Sequence, residues 1–266
     1  MTRLDARFAA LRAAGRKALI PFVTAGDPSL EATVPVMHAL VAAGADVIEL
    51  GVPFSDPMAD GPTIQRSSER ALARGAGMRW VLDAVRRFRQ HDAATPVVLM
   101  GYLNPVEIRG AAAFARDAAD AGVDGVLLVD LPPEESGGFR EGFAAHGIAL
   151  ILLASPTTPE ARVQRLCRDA QGYLYYVSFA GVTGASERLD TEAAADHLRR
   201  IRADSPVPVV AGFGIRDAAS AAAMAVDADG VVVGSALVST LAEAGDADEA
   251  VARAAAFLAP LRAALG

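Results

Sequence analysis

Glu49 stands in VIELG, within a run that is otherwise apolar from Val47 to Phe54. Period-two alternation puts it on the strand face of Val47 and Gly51, with Ile48 and Leu50 on the other face. A carboxylate on an apolar face is costly unless its pKa rises or it gains partners. An acid so perturbed exchanges its proton near neutral pH, which is the property general acid/base catalysis needs. The competing reading is a structural acid, bonded to backbone amides or to a buried arginine. The segment GVPFSDPMADGPTIQ (51–65) reads as a long loop and adds two more acids, Asp56 and Asp60. Either would serve a turn or a helix cap, because Asp readily bonds its own local backbone. Asp60 is the stronger chemical candidate, since it lies further along a loop able to fold back over a mouth.

Three glycine-bearing turns, FAGVTGAS, AGFGIRD and VVVGSALV, follow apolar runs in the last third of the chain. Glycine permits close backbone approach, and a helix N-terminus supplies N–H donors with a favourable dipole. Together they predict a phosphate site made of neutral amides. His38, His91, His146 and His197 fall in helical patterns and predict structural or surface roles, so no metal site is expected. Trp80 opens a helical pattern after the long loop and reads as packing. Tyr102 and Tyr175 lie in strand-like runs near their ends, where a hydroxyl can meet a ligand or the ring can pack in the core.

These residues need a scaffold that brings strand ends together. Eight apolar runs are strand candidates: 18–26, 46–53, 96–102, 125–130, 149–155, 172–178, 208–213 and 230–235. They are continuous rather than alternating, as in parallel strands buried on both faces. Amphipathic stretches such as SLEATVPVMHALVAAGA and TEAAADHLRRIRA separate them, each long enough to cross back over a sheet. Gly44, Gly122 and Gly147 stand where helices end just before a strand, which suits a left-handed cap. A doubly wound open sheet also alternates in this way. The distribution of polar, Gly and Pro residues after strands two, three, six, seven and eight favours a closed (β/α)₈ TIM barrel, whose rim builds sites from many strand ends. An additional helical pattern at residues 2–13 precedes every strand and is placed as a plug at the barrel's bottom.

The chain's 266 residues fit one such barrel, so residues 1–266 are read as a single domain. A net charge of −7 argues against general affinity for nucleic acid or anionic membrane, and any anionic substrate needs a local positive site. The N-terminus lacks the apolar core of a secretory signal, and no apolar run approaches the roughly 20 residues that span a bilayer. Cys167 is the sole cysteine, which excludes an internal disulfide and reads as a small buried residue. The expectation is a cytoplasmic protein.

The run IELGVPFSDPMADGPTIQ, with PFVTAGDP before it and GVTG, GFGI and VVVGSALV after it, resembles the tryptophan synthase alpha subunit family over about residues 16–240. The resemblance implies a (β/α)₈ lyase that cleaves indole-3-glycerol phosphate by a retro-aldol reaction to indole and glyceraldehyde 3-phosphate. On matching positions, Glu49 is the general acid/base, and Asp60 is the carboxylate that binds the indole N–H. Phe22, Met100, Leu127, Val129, Leu153, Tyr175 and Phe213 match the indole pocket and its supports, with Tyr102 among the substrate-binding residues. Gly184, Gly214, Gly234 and Ser235 match the phosphate site, and Thr183 matches a lid residue that engages Asp60. A beta subunit partner is implied, in an alpha2-beta2 heterotetramer, with contacts at Pro53, Asp56, Pro57 and Asn104. Pyridoxal phosphate belongs to that partner, and the alpha chain itself needs no cofactor. Two rivals remain: a sugar-phosphate isomerase of a related barrel, and a non-enzymatic activator of a partner.

Overall fold

The computed structural model describes residues 1–177, 191–212 and 214–266. Helix α1 (Arg3–Ala13) precedes the first strand. Then follow β1 (Ala18–Thr24), α2 (Thr33–Ala42), β2 (Ile48–Gly51), α3 (Pro62–Ala73), α4 (Met78–Arg89), β3 (Val97–Gly101), α5 (Leu103–Arg109), α6 (Ala111–Ala121) and β4 (Gly125–Leu128). The remainder comprises α7 (Gly137–Ala144), β5 (Ala149–Ala154), α8 (Glu160–Asp169), β6 (Leu174–Val177) and α9 (Thr191–Asp204). It ends with β7 (Val209–Gly212), α10 (Ala218–Ala225), β8 (Gly230–Val233), α11 (Ser235–Ala242) and α12 (Ala247–Ala264). Each strand pairs in parallel with its sequence neighbours, and β8 closes on β1. The sheet is therefore a closed barrel of eight strands, and the open-sheet alternative falls.

Strand parity explains the two cores. Ile48, Leu50, Leu99 and Val126 face outward and pack with the helices. Ile20, Phe22, Val47, Val98, Leu127, Ile151, Val210 and Val232 fill the interior. Helix α1 joins that interior through Leu4, Phe8 and Leu11, and Phe8 lies 5.8 Å from the Tyr173 ring. The bottom plug expected from the sequence is thus in place. A capping box between Thr2 and Asp5 fixes where the helix starts.

At the bottom of the barrel one device recurs. Asp46, just ahead of β2, accepts the Leu19 N–H at 2.9 Å, and Asp124, just ahead of β4, accepts the Val97 N–H at 2.8 Å. Asp229 does the same for Val209 at 2.9 Å, and Gln171 for Leu150 at 3.0 Å. Each of the three acids also takes an arginine: Arg262 on Asp46, Arg89 and Arg3 on Asp124, Arg202 on Asp229.

Two elements differ from the sequence reading. Residues 62–65, assigned to the long loop, form the first turn of α3, because Pro62 at the first helical position is pre-set for helix. Trp80 accordingly lies in the second helix after the loop, where it packs against the core with the Arg87 guanidinium 5.5 Å from its ring. An unforeseen helix, α5, follows β3 directly, its Leu103 N–H capped by the Asp130 carboxylate at 2.8 Å. Among the described residues no helix is long and apolar enough to cross a membrane.

Candidate active site

Glu49 lies in β2, in register with Phe22 of β1 and Val98 of β3. Its side chain is fully buried, and the Tyr173 hydroxyl donates to Oε1 at 2.5 Å. Tyr173 stands just ahead of β6, on the opposite wall of the barrel. The second oxygen, Oε2, is buried with no hydrogen-bond partner among the described residues. Among the described residues, neither the backbone amides nor the arginine of the structural reading stands beside it. Burial pushes the carboxyl up to about 7, against the opposing pull of the Tyr173 hydrogen bond. Near neutral pH the group is therefore shared between acid and base forms.

Asp60 is half-buried in the loop between β2 and α3. Tyr102, immediately after β3, donates its hydroxyl proton to Asp60 Oδ2 at 3.0 Å and accepts the Ala59 N–H at 3.0 Å. Phe54 packs on the Tyr102 ring at 5.1 Å, and Gln65 donates to the Asp60 carbonyl at 2.9 Å. Burial raises the Asp60 carboxyl above the ordinary aspartate range, with the Tyr102 bond opposing. Burial also raises the Tyr102 hydroxyl, and Asp60 beside it adds to the effect, so the phenol stays a donor.

A small cleft is lined by Asp60, Tyr102, Thr24, Phe22, Met100 and Val129, with Ile64 and Ser68 from α3. Phe22, Ile64, Met100 and Val129 make its apolar wall, and the Asp60 carboxyl, Tyr102, Thr24 and Ser68 its polar side. Glu49 does not line this cleft, since its carboxyl is turned to Tyr173. Leu127 is fully buried in the interior, while Leu153 packs half-buried against it. The buried Tyr175 lies with its hydroxyl against Gly212 of β7, where an added Cβ would come within 2.1 Å of that oxygen. Thr183, Gly184 and Phe213 lie outside the described residues.

Of the expected phosphate residues, Gly214 follows β7 with φ +76, a left-handed conformation that favours glycine. Gly234 caps α11 and Ser235 opens it. The first N–H groups of a helix have no partner within it and carry its positive dipole end. Phe22 links the two regions: its ring covers Gly51, and its Cβ would lie 3.6 Å from a Cβ on Gly234.

Of the expected partner contacts, Asp56 and Asn104 are exposed, Pro57 is half-buried and Pro53 is buried. Met58 and Ile108, on the same rim elements, are 84% and 81% exposed. The histidines stay out of the site, His38 stacking on Phe88 and His197 packing on Tyr176. Among the described residues no three His, Cys, Asp or Glu side chains group as a metal site, and Cys167 is buried. Sequence reasoning missed Tyr173, although it shares the parity of Tyr175 in GYLYYVS.

Residues 8–265 match the family described as Tryptophan synthase alpha chain. The tryptophan synthase alpha chain of Xanthomonas axonopodis pv. citri (strain 306) is 75% identical over 265 residues, covering 100% of this chain and 99% of the relative. Among solved structures, the tryptophan synthase subunit alpha of Legionella pneumophila str. Paris superposes with a TM-score of 0.92 at 46% identity, covering 100% of this chain and 98% of its own. The tryptophan synthase of M. tuberculosis in its aminoacrylate-bound form gives a TM-score of 0.88 at 38% identity, with 100% of each chain covered. With the closed barrel described and the likeness running nearly end to end, the chain belongs to the tryptophan synthase alpha chain family.

Proposed function

We propose that Glu49 and Asp60 carry this chain's reaction, the retro-aldol cleavage of indole-3-glycerol phosphate to indole and glyceraldehyde 3-phosphate in tryptophan biosynthesis. The observation that carries the assignment is Glu49: a fully buried carboxyl with no cation beside it among the described residues, pushed up to about 7 by burial. Cleavage needs a proton delivered to the indole C3, which makes the ring an iminium-like leaving group. It also needs the proton of the adjacent glycerol hydroxyl removed, so that the oxygen's electrons form the aldehyde carbonyl as the C–C bond breaks. One carboxyl poised near neutrality serves both steps in turn. To do so, the Glu49 side chain leaves Tyr173 and turns into the cleft.

Asp60 accepts the indole N–H and stabilises the positive charge that develops on the ring, an effect strengthened by its apolar surroundings. Tyr102, donating to Asp60, holds that carboxylate in place. Phe22, Met100, Leu127, Val129, Leu153, Tyr175 and Phe213 enclose the indole ring. Gly184, Gly214, Gly234 and Ser235 hold the phosphate through backbone amides, and Thr183 closes over the substrate. Residues 1–266 act as one cytoplasmic unit. Its partner is a beta chain in an alpha2-beta2 assembly, which carries the pyridoxal phosphate while this chain requires no cofactor. The rim around Pro53, Asp56, Pro57 and Asn104 meets it, and the exposed Met58 and Ile108 add apolar area there. The family removes the isomerase rival, and retention of both acids disfavours a pure activator.

The test is incubation of the purified chain with indole-3-glycerol phosphate, with and without a beta chain, and measurement of indole. Release is expected in both and faster with the partner. No indole in either overturns the assignment.

A further inference from the structure

We propose that Asp27 and Arg70 are a positioning pair that sets Asp60 in place by fixing helix α3 to the end of β1. The inference rests on the role of Asp60 given above. Asp60 stands two residues ahead of α3, and Gln65 in the first turn of that helix holds its carbonyl, so the helix and the acid move together. What holds the helix is polar. Asp27, just past β1, receives Arg70 Nε and Nη2 at 2.7 Å each, and Arg74 stands 3.8 Å away. The Asp27 side chain is only 3% exposed.

One turn earlier on α3, the Ser67 hydroxyl meets the Thr24 hydroxyl at 2.6 Å. Ser67 commits its own proton to the Ile64 carbonyl, so Thr24 is the donor. Ser67 and Ser68, both buried, give this face of α3 little apolar surface with which to fix its rotation. Close approach is built in at Gly26, where an added Cβ would come within 2.5 Å of Ala76 and 3.3 Å of Ala71.

Arg70 is partly exposed, and an ion pair whose acid is buried is a poor source of net stability, because desolvation opposes the Coulomb gain. A two-bond guanidinium fork is instead directional: it fixes plane, distance and angle at once, which a lysine or an apolar contact does not. The fork and the hydroxyl pair are one turn apart, so together they fix both the rotation and the slide of α3. The same helix lines the cleft through Ile64 and Ser68. A shift of about 1 Å in such a support costs on the order of a hundredfold in rate.

The experiment uses the full chain with its beta partner. Arg70→Lys keeps the charge and removes the fork, Asp27→Asn keeps the shape and removes the charge, and each is also made in a Tyr102→Phe background that has already released Asp60. Indole-3-glycerol phosphate cleavage gives kcat and KM, and urea unfolding runs in parallel. Arg70→Lys and Asp27→Asn are expected to lower kcat about tenfold with KM within about threefold. In Tyr102→Phe the added loss shrinks to less than about twofold, because both changes act on the same acid. Equal losses in the two backgrounds overturn the pair, as does wild-type kcat in the folded single variants. If one variant fails to fold, the other gives the reading. No indole from the wild-type chain overturns both this inference and the lyase assignment, whereas full turnover by Arg70→Lys overturns only the pair.

Discussion

At the bottom of the barrel, Asp46 and Asp124 have side chains only 4% exposed, and each meets an arginine within 2.8 Å and a backbone N–H. Toward the opposite end, Glu49 and Asp60 are also withdrawn from water, yet each has a tyrosine hydroxyl as its side-chain partner and no ion pair among the described residues. Burial is common to all four acids. What separates them is the cation: with one, the negative charge is fixed and ties elements together; without one, the proton is free to come and go. Asp27 sharpens the rule, because it sits at the reactive end but carries Arg70. Pairing rather than position predicts its role as a support.

The largest effect is expected at Glu49. Glu49→Gln keeps the shape and cannot carry a proton, so indole release should fall by roughly 10²–10⁴. Stability should move the other way. The folded carboxyl titrates near 7 against an ordinary value of 4.5, so the unfolded chain releases its proton first. Wild-type stability from this group therefore falls as pH rises from 4.5 to about 7. Urea unfolding at pH 8 should find Glu49→Gln more stable than wild type, by up to about 3 kcal/mol. Equal stability would mean that the acid is not strained.

Next comes the opposite end. Asp124→Ala leaves Arg89 without its buried acid and Val97 without its acceptor, and should cost about 3–5 kcal/mol in unfolding experiments. The kcat of the folded protein should stay within about twofold of wild type, because nothing at the cleft is touched. A lowered kcat with unchanged stability would erase the distinction between the ends. The smallest effect is expected for Tyr173→Phe, which removes the one bond that holds the Glu49 value down. The Glu49 limb of the kcat/KM pH profile should then move upward by less than about one unit. An unmoved limb would show that the bond does not form in solution.

Much of this contrast is legible in the sequence, and the limits of that reading have physical causes. Parity along VIELG placed Glu49 inside, and continuous apolar runs placed all eight strands, since both are local consequences of backbone geometry. Asp60 follows β2, and Gly214 and Gly234 follow β7 and β8, as their sequence positions indicate, while the FAGVTGAS turn lies outside the described residues. Tyr173 was not legible, because its partner lies 124 residues away and meets it only when β2 and β6 face each other across a closed barrel. The Asp27–Arg70 fork escaped for the same reason, the two being 43 residues apart. Helix α5 was missed because its start depends on Asp130, a side chain from the next strand end.

Helix α1 plugs the bottom of the barrel. Its Phe8 lies against the Tyr173 ring, whose hydroxyl meets Glu49, and Leu4 lies close to Gly172 beside it. The helix thereby acts as a stopper against solvent, and it keeps the medium around the proton carrier poorly polarisable. Through the tyrosine it packs on, the helix adds to the burial that raises the Glu49 carboxyl. A shortened N-terminus is therefore a change in acid strength as much as a change in packing.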